Sequence, residues 1–523
     1  MRRQWYLALG TVLLAVFLLF AMLNDIRWFL FLLIPLVCLW IYDLTQTKHA
    51  ILRNFPVMGH MRYILEFFRP EIQQYFVAND EEERPFNREI RSLIYERSKN
   101  MRDTVPFGTE RDILEVGYTW AEHSLAPKIA PESGARVMVG GDACLQPYDA
   151  SRLNISAMSF GALSSRAIMA LNQGAALGNF AHNTGEGGLS SHHLQGGDLI
   201  FQVGTGYFGC RDDEGHFNDG LFEIEAKRDE VKMIEIKLSQ GAKPSHGGIL
   251  PAVKLTQEIA DVRKVPLGHD VISPPAHSAF DSPKGLILFV QHLRELSGGK
   301  PVGFKLCIGR KSEFLGICKA MRELEIYPDF ITVDGAEGGT GAAPLEYTNR
   351  LGEALEPALI FVHNALVGTD LRDKMRLICS GKITTGFDLI AHLAMGADLC
   401  NAARTMMMSL GCVQSKQCHA NTCPTGVATQ DKRLERGLVV DNKKHRVKHF
   451  HQNTMKSFLD LLGSMGLETP DALTPAHVMR RVAHNQVQPL SDVYTYLEPG
   501  QLLGRNIPDD YQKYWDEAHA DRF

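Results

Sequence analysis

The chain has 523 residues, 45% of them apolar, enough to bury one large core with flanking pieces. A net charge of −5 gives no basic excess, and aromatic residues are not interleaved with Lys/Arg runs, which argues against nucleic acid as a partner. The ten cysteines, apart from one short cluster, fit reduced thiols in a reducing compartment better than a secreted disulfide framework.

Trp5 to Leu23 is a run of nineteen residues without a charge, long enough to cross a bilayer, and Trp28 to Tyr42 is a second, shorter run containing Pro35. The simplest reading of residues 1–46 is a pair of transmembrane helices; no small-x-small site ends the first run as a signal peptide would require. Arg2 and Arg3 before the runs and Lys48, Arg53 and Arg62 after them put both ends in the cytoplasm, so the expectation is a multi-pass protein of the inner (cytoplasmic) membrane with its body inside. Residues 47–110 read as a connector arm whose aromatics, Phe67, Phe68, Tyr75 and Phe76, are expected to pack on the domain that follows.

Within a domain expected over residues 111–430, β-branched runs alternate with amphipathic runs of helical length from about Asp112 to Ala403, the pattern of repeated βα units. Strands are expected at Leu153 to Met158, Lys232 to Leu238, Val302 to Leu306, Phe330 to Val333, Leu377 to Ser380 and Leu399 to Ala402. Helices are expected at Ser164 to Leu177, Pro251 to Arg263, Ser312 to Leu324 and Phe387 to Met395. Functional-looking residues follow several strands, which favours an α/β fold of the (β/α)8 TIM-barrel type, with a doubly wound sheet as runner-up. Residues 431–523 show charged helical stretches and no legible motif.

Six turns carry candidate chemistry. Ile155 to Ser164 runs strand into helix through small residues (Ser156, Ala157, Met158, Ser159) that let a flat ring approach the backbone, although ordinary turn chemistry reads the same. Asn183-Thr184-Gly185-Glu186-Gly187-Gly188 frames a carboxylate with glycines; by itself it is a turn. Glu235 to Pro244 ends a strand with Lys237 and Lys243, six apart, suited to a flavin edge or a dicarboxylate, or else simply solvated. Asp334 to Pro344 is a Gly-rich loop leaving a strand, and Gly381 and Arg404 follow two later strands where barrels of this kind hold a phosphate. Gly204 to Gly209 fits G-x-G-x-x-G, but the charged stretch Arg211 to Glu214 that follows cannot start the apolar-periodic helix a dinucleotide site needs.

Gly411 to Gln430 places Cys412, Cys418 and Cys423 in C-x5-C-x4-C-P spacing. Three thiolates and a Cys-Pro ending suit an iron–sulfur cluster. Zinc with His419 as fourth ligand, or three unrelated buried thiols, remain open. This loop, continuing G-V-A-T-Q, resembles the cluster loop in the FMN-binding synthase domain of the glutamate synthase large subunit. The turns above resemble that family's segments in the same order from about Asn154 to Gln430.

The resemblance implies FMN and an iron–sulfur cluster, 3Fe-4S, and an enzyme of glutamate biosynthesis: an oxidoreductase that reductively aminates 2-oxoglutarate. It implies FMN contacts at Ser156, Ala157, Met158, Ser159, Lys237, Gln240, Gly338 and Gly339, to which the phosphate loops of a barrel add Gly381 and Arg404, and cluster ligands Cys412, Cys418 and Cys423. Glu186, Lys237, Lys243 and Arg263 would be the catalytic and substrate-binding set. The chain departs from the pattern at His246 and Ile249, where the family carries Glu and Gln, which opens the alternative of another amine or imine substrate. A membrane-tethered electron-transfer protein is the remaining alternative. No N-terminal glutaminase cysteine and no convincing NAD(P) motif is visible, so ammonia or a glutaminase, and a ferredoxin or reductase subunit, are expected from outside.

Overall fold

The computed structural model describes residues 27–101 and 103–523, with side chains from Leu33 onward. The chain divides into one unit ending at Glu89 and a second spanning Ile90–Phe523.

In the first unit the second apolar run forms helix Arg27–Thr45, with Pro35 inside it. Among the described residues no helix is long and apolar enough to cross a membrane, so the expected second span of the hairpin is not borne out. The last turn of that helix is tied into its own unit. Asp43 is fully buried, accepts a hydrogen bond from the Val57 N–H at 2.8 Å and bonds His60 Nε2 at 2.9 Å, which ties this end to helix Gly59–Ile72. The first run, Trp5 to Leu23, lies outside the described residues. The connector aromatics also depart from expectation: Phe67 is 74% exposed and Phe76 85%, with Phe68 and Tyr75 at least half exposed. Of helix Gly59–Ile72 only Gly59 is buried.

The second unit is built on a closed barrel of eight parallel strands: β1 (Leu153–Ile155), β2 (His182–Asn183), β3 (Leu199–Val203), β4 (Val231–Lys237), β5 (Val302–Leu306), β6 (Phe330–Asp334), β7 (Arg376–Ser380) and β8 (Leu399–Ala402). Neighbours follow chain order, and β8 closes onto β1 with Asn401 opposite Asn154. Every residue of β3, β5, β6 and β8 is buried, because helices cover the outside and side chains fill the inside.

The interior is layered because residues two apart on a strand share a face. At the N-terminal end Ala181, Ile200, Met233, Phe330, Ile378 and Leu399 form an apolar plug with the hairpin Arg136–Val139 and Tyr148–Ser151. One layer up, Glu235 accepts hydrogen bonds from Asn183 Nδ2 (2.8 Å), Gln202 Nε2 (2.6 Å) and Thr332 Oγ1 (2.7 Å), so this buried carboxylate is satisfied at both oxygens. The next layer, at the C-terminal mouth, holds Lys237, Lys305 and Asp334.

Residues beyond Gln430 belong to the barrel's shell. Helix Val440–Ser464 packs along helices Ser165–Gly178 and Gly386–Ala394, and strand Val478–Ala483 pairs with Thr119–Ala121. The expected helix Pro251 to Arg263 is instead a 3-10 turn, Ala252–Lys254, followed by helix Gln257–Arg263.

Candidate active site

Each strand of the barrel delivers its last residues to one face, and the chemistry collects there. Lys237, the last residue of β4, bonds Glu186 Oε1 through Nζ at 2.7 Å, with both side chains largely buried. Glycines leave room for that carboxylate: a Cβ on Gly204 would stand 2.7 Å from the Glu186 Cβ, and one on Gly248 only 2.3 Å from Oε1. Burial alone would push the Glu186 carboxyl up, but Lys237, hydrogen-bonded to it, together with Lys243 and Arg263, holds it below the usual carboxylate range. Lys243 is 1% exposed; burial, and then the charge of Lys237, lower its ammonium pKa to about 8 against the pull of Glu186. The cleft in front of this pair is lined by Glu186, Thr205, Lys237, Ser239, His246 and Gly247.

The small-residue turn after β1 lies alongside. Ser156 is buried; its N–H donates to Ala402 O at 3.0 Å and its hydroxyl lies 3.3 Å from that of Ser380, which draws together the ends of β1, β7 and β8. Gly185 has φ +66, and a Cβ there would fall 2.7 Å from Ser159 N, so the turns holding Met158, Ser159 and Glu186 are in direct backbone contact. The loop after β4 meets the loop after β6 as closely. Gly241 N–H donates to Asp334 Oδ2 at 2.9 Å, and Lys305 Nζ sits 3.2 Å from the same oxygen. Gln240 Nε2 is buried with no hydrogen-bond partner among the described residues, as a donor reserved for a ligand would be. Close backbone and a reserved donor fit a flat ring with a polar edge.

Gly338, Gly339, Gly381 and Arg404 are gathered on one side of the mouth. Arg404 Nη2 donates to Glu337 O at 2.7 Å, and a Cβ on Gly339 would stand 2.7 Å from Arg404 Cδ. Glu337 itself is unanticipated: its carboxylate accepts the Leu355 N–H at 3.0 Å, at the N-terminus of helix Leu355–Gly368, and approaches Gly381. Arg263 is 5% exposed; its Nη2 donates to Phe160 O at 3.1 Å and lies 3.4 Å from Ser159 Oγ, and its guanidinium lies over the Phe208 ring at 5.2 Å, so it braces the turn after β1 beside Glu186.

Helix Arg404–Leu410 runs directly from β8 and ends at Gly411, from which the cysteine loop returns beneath Gly161 to Leu163. Gln430 Nε2 donates to Gly161 O and Leu163 O there. Among the described residues no group of three or more His, Cys, Asp or Glu side chains is gathered as about a single metal ion, so the zinc reading with His419 gains no support. The thiols do act on one another: burial raises the Cys412 thiol to about 12, and Cys418 and Cys423 add to that rise. Burial also pushes Cys423 up, but the Thr425 hydroxyl and the N–H groups of Ala428, Thr425 and Val427 point at its sulfur and hold it below the usual thiol range. Neighbouring thiols, one of them held by several N–H donors, are a donor set that fits a cluster of several irons.

The sequence reading missed Lys254 and Lys305, each a single charged residue in an otherwise ordinary stretch, and gave no role to Glu235 and Glu337 within the two stretches it singled out.

A family model described as "Conserved region in glutamate synthase" matches residues 95–468, which hold the whole barrel, the cysteine loop and helix Val440–Ser464. The chain belongs to the glutamate synthase family. This family member is 36% identical over 493 residues to the glutamate synthase large subunit-like protein YerD of Bacillus subtilis, covering 86% of this chain and 93% of that one. It is 32% identical over 320 residues to the archaeal-type glutamate synthase [NADPH] of Thermotoga maritima, covering 61% of this chain and 60% of that one. Among solved structures it is similar to a mandelate oxidase variant with 2-hydroxy-phenylacetamide, at 14% identity and a TM-score of 0.41, covering 74% of this chain and 94% of that one.

Proposed function

We propose that this glutamate synthase family member is an FMN-dependent oxidoreductase that reductively aminates 2-oxoglutarate to glutamate, with electrons entering through a 3Fe-4S cluster on Cys412, Cys418 and Cys423. The observation that carries the reading is the Glu186–Lys237 pair at the barrel mouth, with Lys243 beside it and the small-residue turn in backbone contact. Bound FMN would supply hydride, and a cluster would supply single electrons to it. Ser156, Ala157, Met158, Ser159, Lys237 and Gln240 would hold the ring, and Gly338, Gly339, Gly381 and Arg404 the phosphate end.

Lys243 draws the acid groups of the substrate into the cleft, and Lys237 holds Glu186 in place. Arg263 contributes by fixing the turn after β1 and by its charge. Glu186, ionised at neutral pH, accepts an N–H from the incoming nitrogen and orients it. The reading needs nitrogen from ammonia or a glutaminase and electrons from a donor such as a ferredoxin or reductase subunit.

A second reading rests on His246, which lines the cleft and meets the Tyr347 ring edge-on at 5.0 Å where the family pattern carries Glu. It favours a different amine or imine substrate. One experiment separates the two. The purified protein is reduced anaerobically with dithionite and offered 2-oxoglutarate with ammonium or glutamine. Return of the oxidised flavin spectrum with glutamate formed supports the synthase reading. A flavin that stays reduced with both nitrogen donors counts against it, and a protein that binds neither flavin nor iron overturns both.

A further inference from the structure

Lys254 is buried, 2% exposed, at the end of the 3-10 turn Ala252–Lys254. Its Nζ donates to two carbonyls: Ala162 O, in the turn after β1 that is read above as flavin-facing, and Cys418 O at 3.3 Å in the cysteine loop. The same 3-10 turn is docked on the loop a second time, because Asn421 Nδ2 donates to Val253 O at 3.1 Å. No carboxylate among the described residues pairs with Lys254. A buried ammonium without a carboxylate is unfavourable unless other groups compensate it, and two carbonyls do so only in part. The cysteine loop is the other surface this ammonium faces, since Nζ rests on it through Cys418 O.

We propose that Lys254 is a positioning residue that ties the cysteine loop to the turn after β1 and places a fixed positive charge against the cluster, making the cluster easier to reduce. The inference rests on the cluster reading above. Reduction adds negative charge to the cluster, and a cation held nearby in a medium of low polarity stabilises the reduced form more than the oxidised one. The position matters for the reaction class because electrons must leave the cluster toward the flavin side, and Lys254 stands on the segment that joins the two.

The test compares the iron-loaded, full-length protein with its Lys254→Gln and Lys254→Arg variants in an anaerobic redox titration followed by electron paramagnetic resonance. The expected result is a cluster potential shifted to more negative values in Lys254→Gln and kept near the starting value in Lys254→Arg, with the flavin potential moved less than the cluster's. Loss of iron from Lys254→Gln alone, with flavin still bound and Lys254→Arg still loaded, also supports the assignment, since it shows the cation holding the loop. An unchanged potential in Lys254→Gln overturns it, as does loss of iron from both variants. Absence of any iron from the unaltered protein is a separate outcome that removes the cluster reading and this inference together.

Discussion

Glu186 stays ionised where burial alone would protonate it, and Lys243 loses its proton more readily than a lysine in water; the two departures make opposite predictions. Glu186→Gln leaves Lys237 buried without its carboxylate, which destabilises by about 3 kcal/mol when one member of such a pair is removed. Because the folded-state pKa of Glu186 is depressed, this stabilisation is fully present above the unfolded value of about 4.3 and is lost as pH falls toward the folded value. Urea denaturation of Glu186→Gln against the parent at pH 7 and again near pH 3 should show a large gap at the first and a small one at the second. Lys243→Met should do the reverse. A lysine whose pKa falls from 10.5 to about 8 on folding opposes folding at neutral pH, by about 3 kcal/mol, and the opposition fades as pH rises through 8 to 10.5. The expected outcome is a variant more stable than the parent at pH 7, with an advantage that shrinks in alkali, and without synthase activity.

At the level of elements, the mouth is assembled by loops that touch through backbone, and glycine is what permits it. A Cβ on Gly241 would stand only 1.7 Å from Gly335 O, so Gly241→Ala must push the loops after β4 and β6 apart. Flavin content after purification should fall severalfold while the far-ultraviolet circular dichroism of the barrel is kept; a fully loaded variant would show that this contact does not shape the ring site. The same elements show what a sequence reveals. β5 and β8 lie where their runs predict, because strands buried on both faces stay mostly apolar, with Lys305 and Asn401 the single polar residue in each. β2 is two residues long and offers no alternation to detect, although the glycine-framed Glu186 just beyond it was legible from its turn. Motifs rich in glycine or cysteine announce themselves locally. Lys254 and Glu235 do not, since a lone charge in a short run reads as surface until the fold turns it inward. In the first unit hydropathy marks the run at Trp28 to Tyr42, and only the fold shows that Asp43, just beyond it, is paired within the protein by His60 and the Val57 N–H.

Across the whole molecule, the site depends on a helix that carries none of its chemistry. Helix Val440–Ser464 lies on helix Ser165–Gly178, which follows the turn after β1, and on helix Gly386–Ala394, which follows Gly381. The approach is close: a Cβ on Gly174 would stand 2.6 Å from Val447 Cβ, and one on Gly386 would stand 2.5 Å from Phe458 N. His451, also on this helix, bonds Ser151 Oγ at 2.9 Å and Leu153 O at 3.0 Å and stacks on Phe180 at 3.9 Å, so it clamps the start of β1. Phe458 is fully buried, and Phe458→Ala removes a core ring at a cost of about 3–5 kcal/mol, readable as a lowered urea midpoint. The location of the loss discriminates between a passive cover and a support for the site. If helix Val440–Ser464 holds β1 and the Gly381 loop in register, flavin should be released from Phe458→Ala at a lower urea concentration than the one at which the barrel unfolds. If it is only a cover, flavin release and unfolding should coincide, as they should in the parent protein.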